Sequence, residues 1–574
     1  MFKKAIFFSL AAALLIGGFS PVFGQWPVDP DSNMVICNHS GEQAIPLVRA
    51  TSDGGCYICW YDNSTGNYDM YLQRLNADGE IQWQENGLLI SDNPQDSWLT
   101  DYDMAVDQQD NAIIVFNDIR SGGDWDIYAY RISPSGEFLW GDNGLTISDN
   151  AAFEAVPVVT ITSDGNIVIA WLEDTIVHVR KLYPNGDDFW SNPNVIDMTS
   201  QYGMTTPQLA PADNDGVILQ TMVKSGPNYW DTYYIYMYKF DAFADTVWGG
   251  DGVVVSNGGG LAFYMIPYLV PDGVGGAFSY WYDSRIYNEL HVYVQHINGD
   301  GEAVWQANGI RVVEAVGQLE MNPGMTFFPE SGNVMVFYKS SDLNQNNFGI
   351  GGQLLTAMGQ KLWGDGGADI IPRANQSRDF PSPYAYENDA IVTYFDSPYG
   401  DALNSYVKAF RIDPDGEMVW TEPEVMMSSY ISEKLHFNTT ITSNSQVATV
   451  WEDRRFGAAD IYLQNINPDG TLGAFITSID DNHADLPGQF GILNAYPNPF
   501  NAQTNISFYL KSSGAVKLEV YDILGRSVET LIDRNLAAGV HQVNWNAGQY
   551  GSGMYFVRLQ ANDEMQSQKL LLLK

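Results

Sequence analysis

Asn111-Ala-Ile-Ile-Val-Phe-Asn-Asp-Ile-Arg120, Ser121-Gly-Gly-Asp-Trp-Asp-Ile-Tyr-Ala-Tyr130 and Arg131-Ile-Ser-Pro-Ser-Gly-Glu-Phe-Leu-Trp140 follow one another, and their reading decides the fold. An apolar run, Ala112 to Phe116, is followed by a polar loop with Asp118, Arg120, Gly122 and Gly123. A second run covers Asp126 to Ile132; then come the turn Ser133-Pro-Ser-Gly136, Trp140 and Asn143-Gly-Leu-Thr-Ile147. The order recurs about every 57 residues along most of the chain. Short β-type runs at a fixed period, separated by Gly, Asn and Asp turns, mark a repeat architecture.

Outward from this copy, a Gly-x-x-x-Trp element pairs Gly79 with Trp83, Gly136 with Trp140, Gly186 with Trp190, Gly301 with Trp305, Gly359 with Trp363 and Gly416 with Trp420. Trp248 holds the same place in a copy without the glycine. An eighth strand pair, Val447 to Trp451 with Asp460 to Ile466, reaches Asn467-Pro-Asp-Gly470 and stops without a tryptophan or a last strand. Asn33-Met-Val-Ile-Cys37, ahead of the first full copy, resembles the runs that close the others, such as Asn86-Gly-Leu-Leu-Ile90. Pairing it with the eighth copy would shut a ring and leave no exposed sheet edge. The expected fold is therefore all-β: an eight-bladed β-propeller over 26–476, with seven blades as the alternative count. Runs such as Tyr233-Tyr-Ile-Tyr-Met-Tyr238 lack inside/outside alternation because both faces of a blade are covered. Trp83, Trp140, Trp190, Trp248, Trp305, Trp363 and Trp420 are the expected blade-docking residues. Each buried aromatic contributes a few kcal/mol, at about 25 cal/mol/Å² over about 150–250 Å².

A second motif, W-x-D-x-R, lies between the paired strands: Trp281, Asp283 and Arg285; Trp451, Asp453 and Arg455; and, with phenylalanine, Phe116, Asp118 and Arg120. Trp60 and Asp62 keep its first half. Another aspartate precedes the next strand at Asp69, Asp126, Asp231 and Asp460. An arginine between two carboxylates would stitch the loop through charge-assisted hydrogen bonds, so Asp118, Arg120, Asp126, Asp283, Arg285, Asp453 and Arg455 read as a structural latch. Calcium would suit these oxygen-rich loops, but the resident arginine competes and no D-x-D-x-D-G loop is complete; neither metal nor other cofactor is expected. Unequal loops, notably Ser225-Gly-Pro-Asn-Tyr-Trp230 and Ser340 to Asn347, are the places for ligand recognition.

The net charge of −41, from 69 Asp plus Glu against 28 Lys plus Arg, disfavours nucleic acid and anionic lipid as partners. Lys3 and Lys4, the apolar Ala5 to Gly18 and the small residues before Gln25 read as a signal peptide over 1–24, with no transmembrane segment after its removal. Three cysteines, Cys37, Cys56 and Cys59, leave the disulfide pairing open. Cys56 and Cys59 lie three apart on one strand and so face opposite sides. No H-E-x-x-H, G-x-S-x-G or P-loop pattern occurs, and no catalytic residue is assigned.

After Gly473 the period ends. An acidic linker over 477–489 leads to short strands that fit a small immunoglobulin-like β-sandwich over 490–574. Tyr496-Pro-Asn-Pro-Phe-Asn501, Val520-Tyr-Asp-Ile-Leu-Gly-Arg526, Gly551-Ser-Gly-Met-Tyr-Phe-Val557 and Gln568-Lys-Leu-Leu-Leu-Leu-Lys574 resemble the type A sorting domain of the type IX secretion system. They also resemble the related module of flagellar hook-capping proteins. The first resemblance implies a translocon and a sortase as partners, and a product outside the cell or on the outer-membrane surface, exported through the periplasm. Pro497, Asn498, Pro499, Gly525, Gly553, Tyr555, Lys569 and Lys574 then carry the sorting signal. Upstream, Gly-x-x-x-Trp is similar to the tryptophan-docking motif of eight-bladed quinoprotein dehydrogenases, whose vicinal cysteine pair is absent, so the likeness implies fold and not activity. Asp78 with Trp83 is similar to the Asp box of sialidases, with the glycine one place off. The leading expectation is a propeller that binds a glycan, peptide or surface protein without catalysis; the alternative is an extracellular polysaccharide-directed hydrolase or lyase.

Overall fold

The computed structural model describes residues 25–95, 102–190, 200–286, 289–474, 491–496, 500, 502–511, 513–523, 525–536, 539–561 and 564–573. The expected signal peptide and linker, and Pro497, Asn498, Pro499 and Lys574, lie outside them. Secondary structure is β throughout, with one 3-10 turn, Ala402–Asn404, and no α-helix among the described residues. The chain divides into two compact units, Met1–Phe475 and Ile476–Lys574.

Among the described residues the first unit contains eight antiparallel sheets in chain order. Their innermost strands are Gln43–Ala50, Tyr102–Val106, Glu154–Ile161, Met204–Pro211, Tyr268–Pro271, Gln318–Phe328, Gln376–Tyr386 and Lys434–Ile441. Each sheet packs on the next, and sheet eight packs on sheet one, so the set closes on itself as a β-propeller does. The fourth strand of sheet eight is Met34–Cys37, which pairs antiparallel with Asp460–Ile466: Met34 faces Leu463 and Val35 faces Tyr462. An apolar cluster fills each junction; the one at the seam joins Trp26, Ile36 and Val48 to Val450, Ile461 and Leu463. With both faces covered, second strands such as Cys56–Asp62 and Ala112–Asp118 are buried from end to end.

The tryptophans form a repeating contact. Trp83, Trp140, Trp190, Trp248, Trp305, Trp363 and Trp420 donate their indole N–H to the carbonyls of Pro134, Pro184, Ala242, Gly299, Ala357, Pro414 and Pro468, each in the following sheet, at 2.8–3.1 Å. Trp26 makes the same bond to Ala77 at 3.0 Å and takes the place missing from the eighth copy. The motif's glycine is where the neighbour's indole lies: a Cβ on Gly301 would sit 2.7 Å from the Trp248 ring, and one on Gly79 2.8 Å from Trp26.

Six innermost strands carry a bulge, and at each a non-glycine residue has positive φ: Ile45, Val156, Thr206, Asn322, Phe380 and His436, at 42–54°. Proline follows in five of the six. It has no N–H to give the ladder, which favours a bulge, and β-branched residues at this φ are strained.

In the second unit a sheet of Gly491–Tyr496, Gln503–Leu510 and Gly539–Asn546 accompanies one of Ser527–Leu536, Gly514–Asp522, Gly553–Ala561 and Glu564–Leu572. Phe500, Phe508 and Trp545 share a core with Leu518, Val557 and Leu570, which makes a two-layer sandwich.

Candidate functional site

The loops between second and third strands share one rim of the ring with the entries of the innermost strands. In sheet five, Asp283 Oδ1 accepts the Arg285 backbone N–H at 3.1 Å, while Arg285 Nε and Nη2 fork onto the carboxylate at 2.6–3.0 Å. Trp281 Nε1 adds a bond to Asp283 Oδ2 at 2.8 Å, and the guanidinium lies 3.8 Å from the centre of the Tyr293 ring. Sheet two repeats the fork and the ring contact with Asp118, Arg120 and Tyr128, without the tryptophan; in sheet eight Arg455 Nη2 reaches Asp453 at 2.7 Å, Trp451 Nε1 adds its bond at 3.0 Å and the guanidinium lies over Tyr462. Asp126 requires a correction. It stands directly across from Asp118 but takes its hydrogen bond from Ser121, so the arginine is not held between two carboxylates. Arg120 also donates from Nη1 to the Asn143 carbonyl and from Nη2 to the Tyr130 hydroxyl, which turns the guanidinium toward these partners.

On the same rim, the loop of sheet four and the connection into sheet five bring exposed aromatics together. Tyr229 packs edge-on to Trp230 at 5.0 Å and to Phe263 at 5.4 Å, and Phe263 to Tyr264 at 5.2 Å. Their exposures are 58%, 68%, 48% and 61%, a contiguous apolar surface of the kind that marks a binding site. Tyr229 and Trp230 belong to the loop singled out from sequence; Phe263 and Tyr264 were missed because nothing in a linear reading places them against it.

Inside the ring, the innermost strands of sheets five to eight wall a cavity of about 570 Å³. Tyr268, Tyr280, Phe327, Phe380, Tyr384 and Phe437 line it with prolines and the amides of Asn322 and Asn438. Tyr268 stacks on Tyr280 at 5.0 Å. Polar groups tie its margins. Asp379 accepts from Lys339 Nζ at 2.5 Å and from Asn322 Nδ2 at 2.7 Å; Arg49 links Asn438 of sheet eight to Asp103 of sheet two. Burial pushes the Tyr384 hydroxyl up to about 12 with Arg49 pulling it back, so it stays protonated; it donates to the Thr439 carbonyl.

The three cysteines are free and buried. Cys56 faces the seam cluster and Cys59 the next junction, on opposite sides of their strand. In the second unit, Gly525 sits in a turn with φ +75°; Tyr555, facing Leu570 across the strands, donates to the Gly551 carbonyl at 2.8 Å; and Lys569 pairs with Phe556 on the last strand, beside Gly553 paired with Leu572.

The fold and rim define a propeller protein with a separate carboxyl-terminal sandwich. Residues 494–573 match the model of the secretion system C-terminal sorting domain, the type IX export signal. That domain directs export to the cell surface or the extracellular space, and among the described residues no helix is long and apolar enough to cross a membrane. No curated protein matches the chain. Solved structures similar to it include an α-L-arabinanase of Penicillium chrysogenum complexed with arabinobiose, at 13% identity, covering 54% of this chain and 92% of that one with a TM-score of 0.30. An endo-arabinanase of Bacillus licheniformis is 13% identical over 47% of this chain and 99% of its own, at 0.26. Prolyl oligopeptidase B of Galerina marginata is 9% identical over 73% and 56%, at 0.38. The expectation of a protein without catalysis is corrected by these findings, since the similar structures are enzymes. At such identities and scores the likeness transfers neither residue roles nor a substrate.

Proposed function

We propose that the first unit is an eight-bladed β-propeller acting on polysaccharide outside the cell, as a hydrolase or lyase, and that the second is its immunoglobulin-like sorting module. The observation that carries this reading is the run of exposed aromatics Tyr229, Trp230, Phe263 and Tyr264 on the rim where the innermost strands that wall the aromatic cavity begin. Sugar rings offer apolar faces that stack on aromatic side chains, and hydroxyls that amides and carboxylates read. Asp379 and Asp103, oriented by Lys339 and Arg49, supply carboxylates for acid, base or charge-stabilising work.

The test is incubation of the secreted full chain with arabinan, xylan, mannan and pectate, following reducing ends and unsaturated products. One class of polymer should be cleaved, Asp379→Asn should slow cleavage by about 100-fold or more, and Trp230→Ala should raise KM for polymer. Absence of cleavage, together with no retention on any immobilised polymer, would overturn the proposal.

A further inference from the structure

Sheet one keeps the tryptophan and aspartate of the latch but has Ser64 where sheets two, five and eight have arginine. Asp62 holds the same turn, its Oδ1 accepting the Ser64 N–H at 2.8 Å. Its Oδ2 is used differently. Cys37 Sγ lies 3.3 Å and His39 Nδ1 2.9 Å from that oxygen, and the three donor atoms lie within 4.8 Å of one another. Trp60 Nε1, whose counterparts Trp281 and Trp451 bond the aspartate, is fully buried and has no partner. The His39 ring meets Tyr71 edge-on at 5.7 Å, on the tyrosine over whose counterparts the guanidinium lies in the other sheets. So Cys37 and His39 occupy the place of the absent cation.

We propose that Cys37, His39 and Asp62 form a binding site for a zinc-type divalent cation that fastens the closing strand to sheet one. The donor set is thiolate, imidazole and carboxylate, the mixture zinc takes in tetrahedral sites with one position left to water. Zinc–ligand distances of about 2.0–2.3 Å place tetrahedral donors roughly 3.3–3.7 Å apart, so the two contacts to Asp62 Oδ2 need to open by a few tenths of an ångström, while Cys37 Sγ and His39 Nδ1, within 4.8 Å of each other, settle to the same spacing by rotation of the part-exposed imidazole. Cys37 and Asp62 are wholly buried, while the His39 side chain is 31% exposed and gives the ion a way in. On binding, the thiol proton leaves to solvent and the imidazole proton moves from Nδ1 to Nε2, which turns the Nδ1 lone pair to the ion. Cys37 ends the closing strand, His39 follows it, and the Asn38 N–H between them is tied to Asn86 Oδ1 of sheet one at 3.0 Å, so the ion would bridge sheet one and the strand that completes sheet eight.

The test uses the secreted full chain, reduced and freed of metal, titrated with Zn²⁺ by calorimetry and with Co²⁺ by absorption. One equivalent should bind, Co²⁺ should give a thiolate charge-transfer band, and Zn²⁺ should raise the thermal midpoint. Cys37→Ser should abolish the band, and His39→Ala should weaken Zn²⁺ by more than the roughly 10–100-fold that loss of an outer partner costs. His39→Arg, which supplies the cation the other sheets carry, should fold and bind no Co²⁺, keeping the test open if Cys37→Ser does not fold. Absence of a band in the unaltered protein, or Zn²⁺ binding unchanged in Cys37→Ser, would overturn the proposal.

Discussion

Sheets five and one carry the same tryptophan and aspartate in the same turn, yet Asp283 is locked by Arg285 and Trp281, whereas Asp62 is reached by two residues from the closing segment at the seam. The Oδ1 contact is local, set by the N–H two residues on, and survives in both. The Oδ2 contact goes to whatever donor stands nearby. In sheet five the loop provides it; in sheet one the closing segment does. A latch that is self-contained in one sheet has become a joint between sheets in the other.

The largest expected effect comes from cutting the self-contained latch. Asp283→Ala leaves the half-buried Arg285 guanidinium and the buried Trp281 N–H without their shared acceptor and should cost about 3 kcal/mol, read as a fall in denaturation midpoint. Metal-free Asp62→Ala removes hydrogen bonds from a thiol, an imidazole and a backbone N–H and should cost about 1–3 kcal/mol; equal losses would break the comparison. Ser64→Arg, restoring W-x-D-x-R in sheet one, should change stability least, by about 1 kcal/mol or less, while displacing His39 from Asp62, visible as a changed imidazole resonance.

The same contrast between supplied and missing cations recurs at strand entries, and its effect falls between the last two. Glu320 meets His291 at 2.9 Å, whereas Glu154, at the equivalent entry to sheet three, has no cation and one carboxylate oxygen without a partner. Burial is the main cause that raises Glu154 to about 7, against a bond from Ser148, with Glu173 and Asp126 adding to it. A carboxyl raised in the folded state contributes stability that is fully present below about pH 4.5 and is lost as pH rises through about 7. For His291, burial works downward but Glu320 and Glu289 raise it, so its contribution too is present at low pH and lost as pH climbs through its folded value. Glu154→Gln, neutral throughout, should flatten the fall in midpoint between pH 4.5 and 7 by an amount on the order of 2 kcal/mol; an unchanged slope would rule out Glu154 as the source of that fall.

The all-β class was legible in the period and its turns, and so were the tryptophan spacing and the seam strand, because each rests on local residue types. The sorting domain was legible in four short motifs. Trp26 was overlooked because it stands apart from its copy at the other end of the chain. The bulge was overlooked although its signal, a proline near the start of the innermost strands at 46, 157, 207, 323 and 381, is plain once sought. The arginine's choice of Asp118 over Asp126, and the meeting of Cys37 and His39 with Asp62, depend on side-chain direction and on ring closure, which no local pattern encodes.

The ring's closure by its first strand is tested most directly by amide hydrogen exchange on the secreted protein. Residues 34–37 should be protected to the same degree as residues 460–466, and both should lose protection together in Trp26→Ala. Rapid exchange over 34–37 beside a protected 460–466 would contradict a ring sealed at that seam.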